Sequence, residues 1–274
     1  MSLLINRSAK LLIKPQQVAR FISVERKDLG NAHSIVDSND TTANKYLKSL
    51  LDGNKKWVAD RKQEDPKFFD KLGQPQTPKF LYFGCSDSRV PANQIVGKGP
   101  GEVFIHRNVG NIIPGNDLNA LSVLEYAVDH LKVTDIIVTG HYDCGAVKAA
   151  VKRQDLGLLE NWLRQIRDVY RLHKDYLDKI TDEDVKHCTL VELNVVEQCL
   201  NLYKTGVVQR NRNQCREKLK AQNPGARIEQ EELTPRIHGL VFNPADGILK
   251  CIPIDFNKRV GSLDHIYGLV PPKN

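Results

Sequence analysis

The sequence holds only one methionine, Met1, and two tryptophans, and aromatic residues make up 7% of its 274 positions. It has no run of about 18 apolar residues, so no segment is suited to cross a bilayer as a helix. None of its six cysteines forms a Cys-x-x-C pair, and their wide spacing excludes a small disulfide scaffold. Acidic residues are missing from positions 1–24, where Arg7, Lys10, Lys14 and Arg20 supply four of the seven excess positive charges. The basic balance is therefore a property of one end, and it does not mark a nucleic-acid surface. What is present is ordinary for a globular protein: 41% apolar and 27% charged residues, 18 glycines and 13 prolines. The length suffices for one large α/β domain or two small ones. Neither a nucleic acid nor a membrane is expected as a partner.

Residues 1–23 are basic and carry Ser2, Ser8 and Ser23, with apolar residues broken by cations too often for a secretory core. Arg20-Phe21-Ile22-Ser23 resembles the processing site of a mitochondrial presequence. On that reading the mature chain starts near Ile22–Val24 in the mitochondrial matrix; as a plain basic tail, the segment leaves the protein cytoplasmic. Residues 24–40 read as a polar linker, and 41–274 as a single catalytic domain.

Leu47, Leu50, Leu51, Trp57 and Val58 recur at helical spacing between Thr41 and Arg61, with Asp40 or Thr41 as N-cap. After Pro75 and Pro78, the apolar run Lys79 to Phe83, ended by Gly84, predicts a buried strand. Glu102 to His106 predicts a second strand and Asp135 to Gly140 a third, separated by a helix with Leu121, Leu124, Val128 and Leu131 inside. Helices are predicted over 157–178 and 183–205. Ile237 to Phe242 and Ile248 to Ile254 flank Asn243-Pro244-Ala245-Asp246-Gly247, a hairpin signal. Alternating strands and helices imply a mostly parallel sheet of four to five strands covered by helices, with an antiparallel edge strand.

In open parallel sheets the ligand crevice lies beyond the carboxyl ends of the strands. The first strand runs into Cys85-Ser86-Asp87-Ser88-Arg89 and the third into His141-Tyr142-Asp143-Cys144-Gly145. His141 and Cys144 are one helical turn apart, and the topology brings Cys85 to the same edge. Two thiolates and one imidazole favour zinc over hard cations, and three protein ligands leave one tetrahedral position open, as in catalytic sites. Each motif alone reads as well as buried filler. A thiolate enzyme with Cys85 as nucleophile and His141 as base is a competing reading, which leaves Cys144 without a role. Asp87 stands two residues from Arg89, so a turn can pair them. The guanidinium then keeps the carboxylate ionised and directed at a metal-bound water, or the pair simply staples the loop. Asp143 is expected to face solvent or cap the following helix.

At these residues the sequence resembles the β-class carbonic anhydrases. The matching text is Cys-Ser-Asp-Ser-Arg at 85–89, Pro-Gly-Glu at 100–102, His-Arg-Asn at 106–108 and Gly-His-Tyr-Asp-Cys-Gly at 140–145. The resemblance implies one zinc ion per subunit on Cys85, His141 and Cys144, with Asp87 and Arg89 as the catalytic dyad. It implies reversible hydration of CO₂ to bicarbonate and a proton, with zinc-bound hydroxide as nucleophile. Gln76, Phe104 and Tyr126 map by offset to the substrate pocket, Gln76 donating to the bound oxygen species and the two rings forming an apolar wall. A homodimer is implied as the basic unit, with tetramers in some members, and an N-terminal helix packed on the partner subunit. Members that regulate themselves through a bicarbonate side pocket carry a Trp where this chain has Tyr82, although Arg107 matches.

Overall fold

The computed structural model describes residues 41–261 and 264–269, so the presequence and linker readings over 1–40 lie outside the described residues. The chain divides into two compact units that meet in sequence at Phe68 and Phe69. In the first, helix α1 (Thr41–Glu64) carries mostly polar residues, with Leu47, Leu50, Leu51 and Trp57 substantially exposed. Salt bridges Lys48–Asp52 and Lys56–Asp60 at i,i+4 support it. The Trp57 ring meets Phe68 edge-on with centroids 6.0 Å apart.

The second unit is built on five strands: β1 (Phe80–Cys85), β2 (Val103–Asn108), β3 (Asp135–His141), β4 (Arg236–Phe242) and β5 (Leu249–Ile252). Their order is β2-β1-β3-β4-β5. The first four are parallel, and β5 pairs antiparallel with β4. Every residue of β3 is buried, as is all of β1 but Phe80, which explains their unbroken apolar runs. Alternation separates the two faces. Leu81, Phe83, Ile136 and Val138 join the large core, while Tyr82 and Ile137 pack in a smaller cluster with Ala92.

The helices follow from their caps and apolar stripes. Helix α2 (Phe68–Leu72) and helix α3 (Ala92–Ile95) are short. Helix α4 (Leu118–Glu125) starts where the Asp117 carboxylate accepts the amide of Asn119, and it runs into a π-turn at Tyr126–His130. Helix α5 (Gly145–Val151) begins at the end of the β3 loop. The stretch read as one helix over 157–178 is two, α6 (Leu159–Leu172) and α7 (Lys174–Leu177), separated at His173. Helix α8 (Glu183–Tyr203) is capped by Asp182 and buries Leu190, Val191, Val195, Cys199 and Leu202. Val195 lies so close to the sheet that a side chain at Gly140 would meet its Cγ2 at 2.6 Å, and one at Gly239 its Cγ1 at 3.1 Å. Helix α9 (Gly206–Gln222) has no counterpart in the periodicity because only Val207, Val208 and Arg212 are buried on it. Short helices α10 (Phe256–Val260) and α11 (Asp264–Tyr267) follow β5. Among the described residues, no helix is long and apolar enough to cross a membrane.

Candidate metal centre

The strand order places the switch in chain direction at β1 and β3. The chain leaves β1 for β2 on one side and leaves β3 for β4 on the other, so a crevice opens at their carboxyl ends. Gly84 is level with Thr139, which aligns the two strand ends. Cys85 and His141 are themselves the last strand residues, two positions beyond the run Lys79–Phe83 and one beyond Asp135–Gly140, and the strand geometry fixes their backbones. Cys144 follows as the N-cap of α5.

Donor atoms of Cys85, His141 and Cys144 lie within 4.8 Å of one another, and all three residues are buried. Neither thiol is in a disulfide. His141 Nδ1 is 2.9 Å from the carbonyl of Tyr142, which can only accept. The ring therefore donates from Nδ1 and leaves Nε2 as a lone-pair donor. Nε2 is buried and has no hydrogen-bond partner. A buried ring nitrogen without a partner is costly, and a cation among the three donors would satisfy it. The two thiols are coupled. Cys144's hydrogen bond, aided by His141 and despite burial, pushes Cys85 down toward the thiolate, while Cys85 and then burial push Cys144 up. Burial opposes charge on His141, but the adjacent Cys85 sulfur outweighs it and raises its pKa. A buried cluster that carries anionic sulfur and two further soft donors is suited to a divalent soft cation.

Asp87 stands at the rim, its Oδ2 3.8 Å from His141 Nε2. Arg89 grips it bidentately, Nε to Oδ1 at 3.0 Å and Nη2 to Oδ2 at 2.8 Å, and the Arg89 amide adds a third bond at 2.9 Å. The side-chain bonds from Arg89, then its amide, hold the Asp87 carboxyl well below the usual carboxylate range. The loop is clamped from behind by Arg107, whose Nε donates to the Cys85 carbonyl at 2.8 Å and whose Nη2 donates to the Asp87 carbonyl at 2.6 Å. Arg107, which the sequence matches to a bicarbonate side pocket, is thus also a loop clamp, a role that no local pattern signals because its partners lie 22 and 20 positions away. Tyr82 is fully buried, its hydroxyl without a hydrogen-bond partner.

Asp143 faces solvent, as expected, and does not cap α5. It has a left-handed backbone (φ 58°), and its carboxylate pairs with Arg89 Nη1 at 2.8 Å and with Lys148. Arg89, then Lys148, hold it down to about 2.

The three pocket residues lie away from the cluster within one chain. Gln76 is exposed, before the amino end of β1. The Phe104 and Tyr126 rings meet at 5.8 Å. Phe104 precedes Asn108, the register partner of Cys85, by four residues, or about 13 Å along a strand. A separate cavity of about 360 Å³ lies between α5, α6 and α8, lined by Arg167, Glu183, Lys186 and His187 with Tyr170 and apolar residues, none of them from the cluster.

A family model described as carbonic anhydrase matches residues 80–249. A carbonic anhydrase of Emericella nidulans is 48% identical over 220 residues, spanning 80% of this chain and 89% of that protein. The crystal structure of the β-carbonic anhydrase CafA of Aspergillus fumigatus superimposes with a TM-score of 0.68 at 32% identity, covering 81% of this chain and 98% of that one. A structure from a study of two tetrameric β-carbonic anhydrases of Sordaria macrospora gives 0.64 at 32% identity, covering 76% and 97%.

Proposed function

This chain belongs to the β-carbonic anhydrase family and is an enzyme of it, and from that premise we propose that it hydrates CO₂ reversibly with one zinc ion held by Cys85, His141 and Cys144. The observation that carries the metal reading is the convergence of three buried soft donors, one of them an imidazole nitrogen with no partner. When bound, zinc acts as a Lewis acid that brings the pKa of water toward neutrality and so supplies a hydroxide nucleophile for CO₂.

The chain's own residues do the rest. Asp87, ionised at neutral pH, accepts a proton at a carboxylate oxygen facing the cluster, and Arg89 fixes its direction. His141 keeps its ring orientation through the Tyr142 carbonyl. Gln76, Phe104 and Tyr126 are proposed to line the CO₂ pocket, with Gln76 as donor and the two rings as a dry wall for a substrate of little polarity. Within one chain they stand toward the amino ends of β1 and β2, so this role calls for a second copy to bring them to a cluster. A homodimer or tetramer supplies it, and exposed Leu47, Leu50 and Leu51 on α1 offer apolar surface for a partner subunit.

Cys85→Ser and His141→Ala test the metal reading: each is expected to lose both zinc, by elemental analysis, and CO₂ hydration, by stopped flow. Full activity in a metal-free variant would end it. The basic, acid-free residues 1–23 support import into the mitochondrial matrix. N-terminal sequencing of the protein recovered from mitochondria should then start near Ile22–Val24, and recovery only from the cytosol would refute import.

A further inference from the structure

We propose that Asp143, with Lys148 behind it, is a positioning residue for the dyad: it fixes the plane of the Arg89 guanidinium and through it the direction of Asp87. The proposal rests on the reading of Asp87 as the proton acceptor and deepens it.

A bidentate pair fixes two groups relative to each other, not relative to the rest of the site. The Arg89 amide ties Oδ1 of Asp87 to the loop, but Oδ2, the oxygen that faces His141, is held by the guanidinium, and the Arg89 side chain is 48% exposed, so packing alone does not fix its plane. A second anchor does. Arg89 Nη1 donates to Asp143 Oδ2 at 2.8 Å, and Nη2 reaches the Asp143 carbonyl at 3.2 Å. The guanidinium is therefore gripped on both sides, by the loop after β1 and by the loop after β3.

Asp143 is itself held at three points. Its backbone is in the left-handed region, its Oδ2 is taken by Arg89, and its Oδ1 is taken by Lys148 from the first turns of α5. A position at φ 58° is one where glycine sits without strain. This chain places a carboxylate there and uses both its oxygens and its carbonyl. The result is a continuous series Lys148–Asp143–Arg89–Asp87, ending 3.8 Å from the unpartnered nitrogen of His141. Exposed ion pairs contribute little to stability as a rule, so the gain here is orientation.

The test is a double-mutant cycle on the zinc-loaded full-length enzyme. Asp143→Asn and Asp143→Gly remove the carboxylate, and the glycine variant also relieves the backbone, which protects it from failure to fold. Both should keep a full equivalent of zinc and lower kcat by about tenfold with KM nearly constant. In an Asp87→Asn background, Asp143→Asn should cost nothing further, because its effect passes through Asp87. Lys148→Met should show a smaller loss that Lys148→Arg restores. Parent kinetics in both Asp143 variants, losses that multiply independently with Asp87→Asn, or zinc loss proportional to activity loss would overturn the proposal. Full turnover in Asp87→Asn alone would instead overturn the proton-acceptor reading on which it rests.

Discussion

Asp87 shows how a single side chain's chemistry is set by its immediate neighbours. Three hydrogen bonds from Arg89 keep it ionised, so at neutral pH it is an anion of fixed direction. Asp87→Asn keeps the shape but turns one of the two acceptor oxygens into an N–H donor, and it cannot take up a proton. It is expected to retain zinc by elemental analysis and to lose about 100-fold in stopped-flow turnover, in the range of a lost general base. Absence of zinc in this variant would make Asp87 structural. The Asp87–Arg89 pair was legible because two residues of one loop can only meet locally. The engagement of Arg89 by Asp143, 54 positions on, and the clamp from Arg107 were not, since nothing in either local pattern names the other.

Strands and helices report themselves to the extent that they bury a regular stripe. β1 and β3 are apolar almost throughout and were read directly, whereas α9 buries only three residues and left no periodic signal. The start of the β3–β4 pair carries its own device. Asp135 is opposite Arg236, which grips it at 2.6 and 2.7 Å, and His238 adds a bond at 2.8 Å. Burial pushes the Asp135 carboxyl up, but Arg236, His238 and Thr134 outweigh it and hold it down to about 2. A carboxyl depressed below its unfolded value of about 3.9 stabilises the fold fully above that pH. The contribution is lost as pH falls from about 4 to about 2. Asp135→Asn should therefore cost about 2 kcal/mol near neutral pH, measured by denaturant unfolding, and the gap to the parent should narrow below about pH 4. A gap independent of pH would assign the loss to packing.

For the whole molecule, the candidate metal donors all come from one chain, while the proposed pocket role calls for a second copy. Disrupting association should then separate two properties that usually fall together. Leu50→Glu on α1 is expected to shift the sedimenting species toward monomer, keep zinc and lose most CO₂ hydration. A monomer with full turnover would show that one chain makes a complete pocket.

The sequence by itself determined the α/β class, the three soft donors and the acid beside them, because strand periodicity and short-range motif spacing are local properties of a chain. Only the tertiary structure decided that β3 lies beside β1 and not beside β2, which sets the ends of Cys85 and His141 together. It alone showed that a guanidinium is held by carboxylates from two loops. Strand order and contacts between distant loops are chosen by how the whole core packs, and no local window of residues contains that choice.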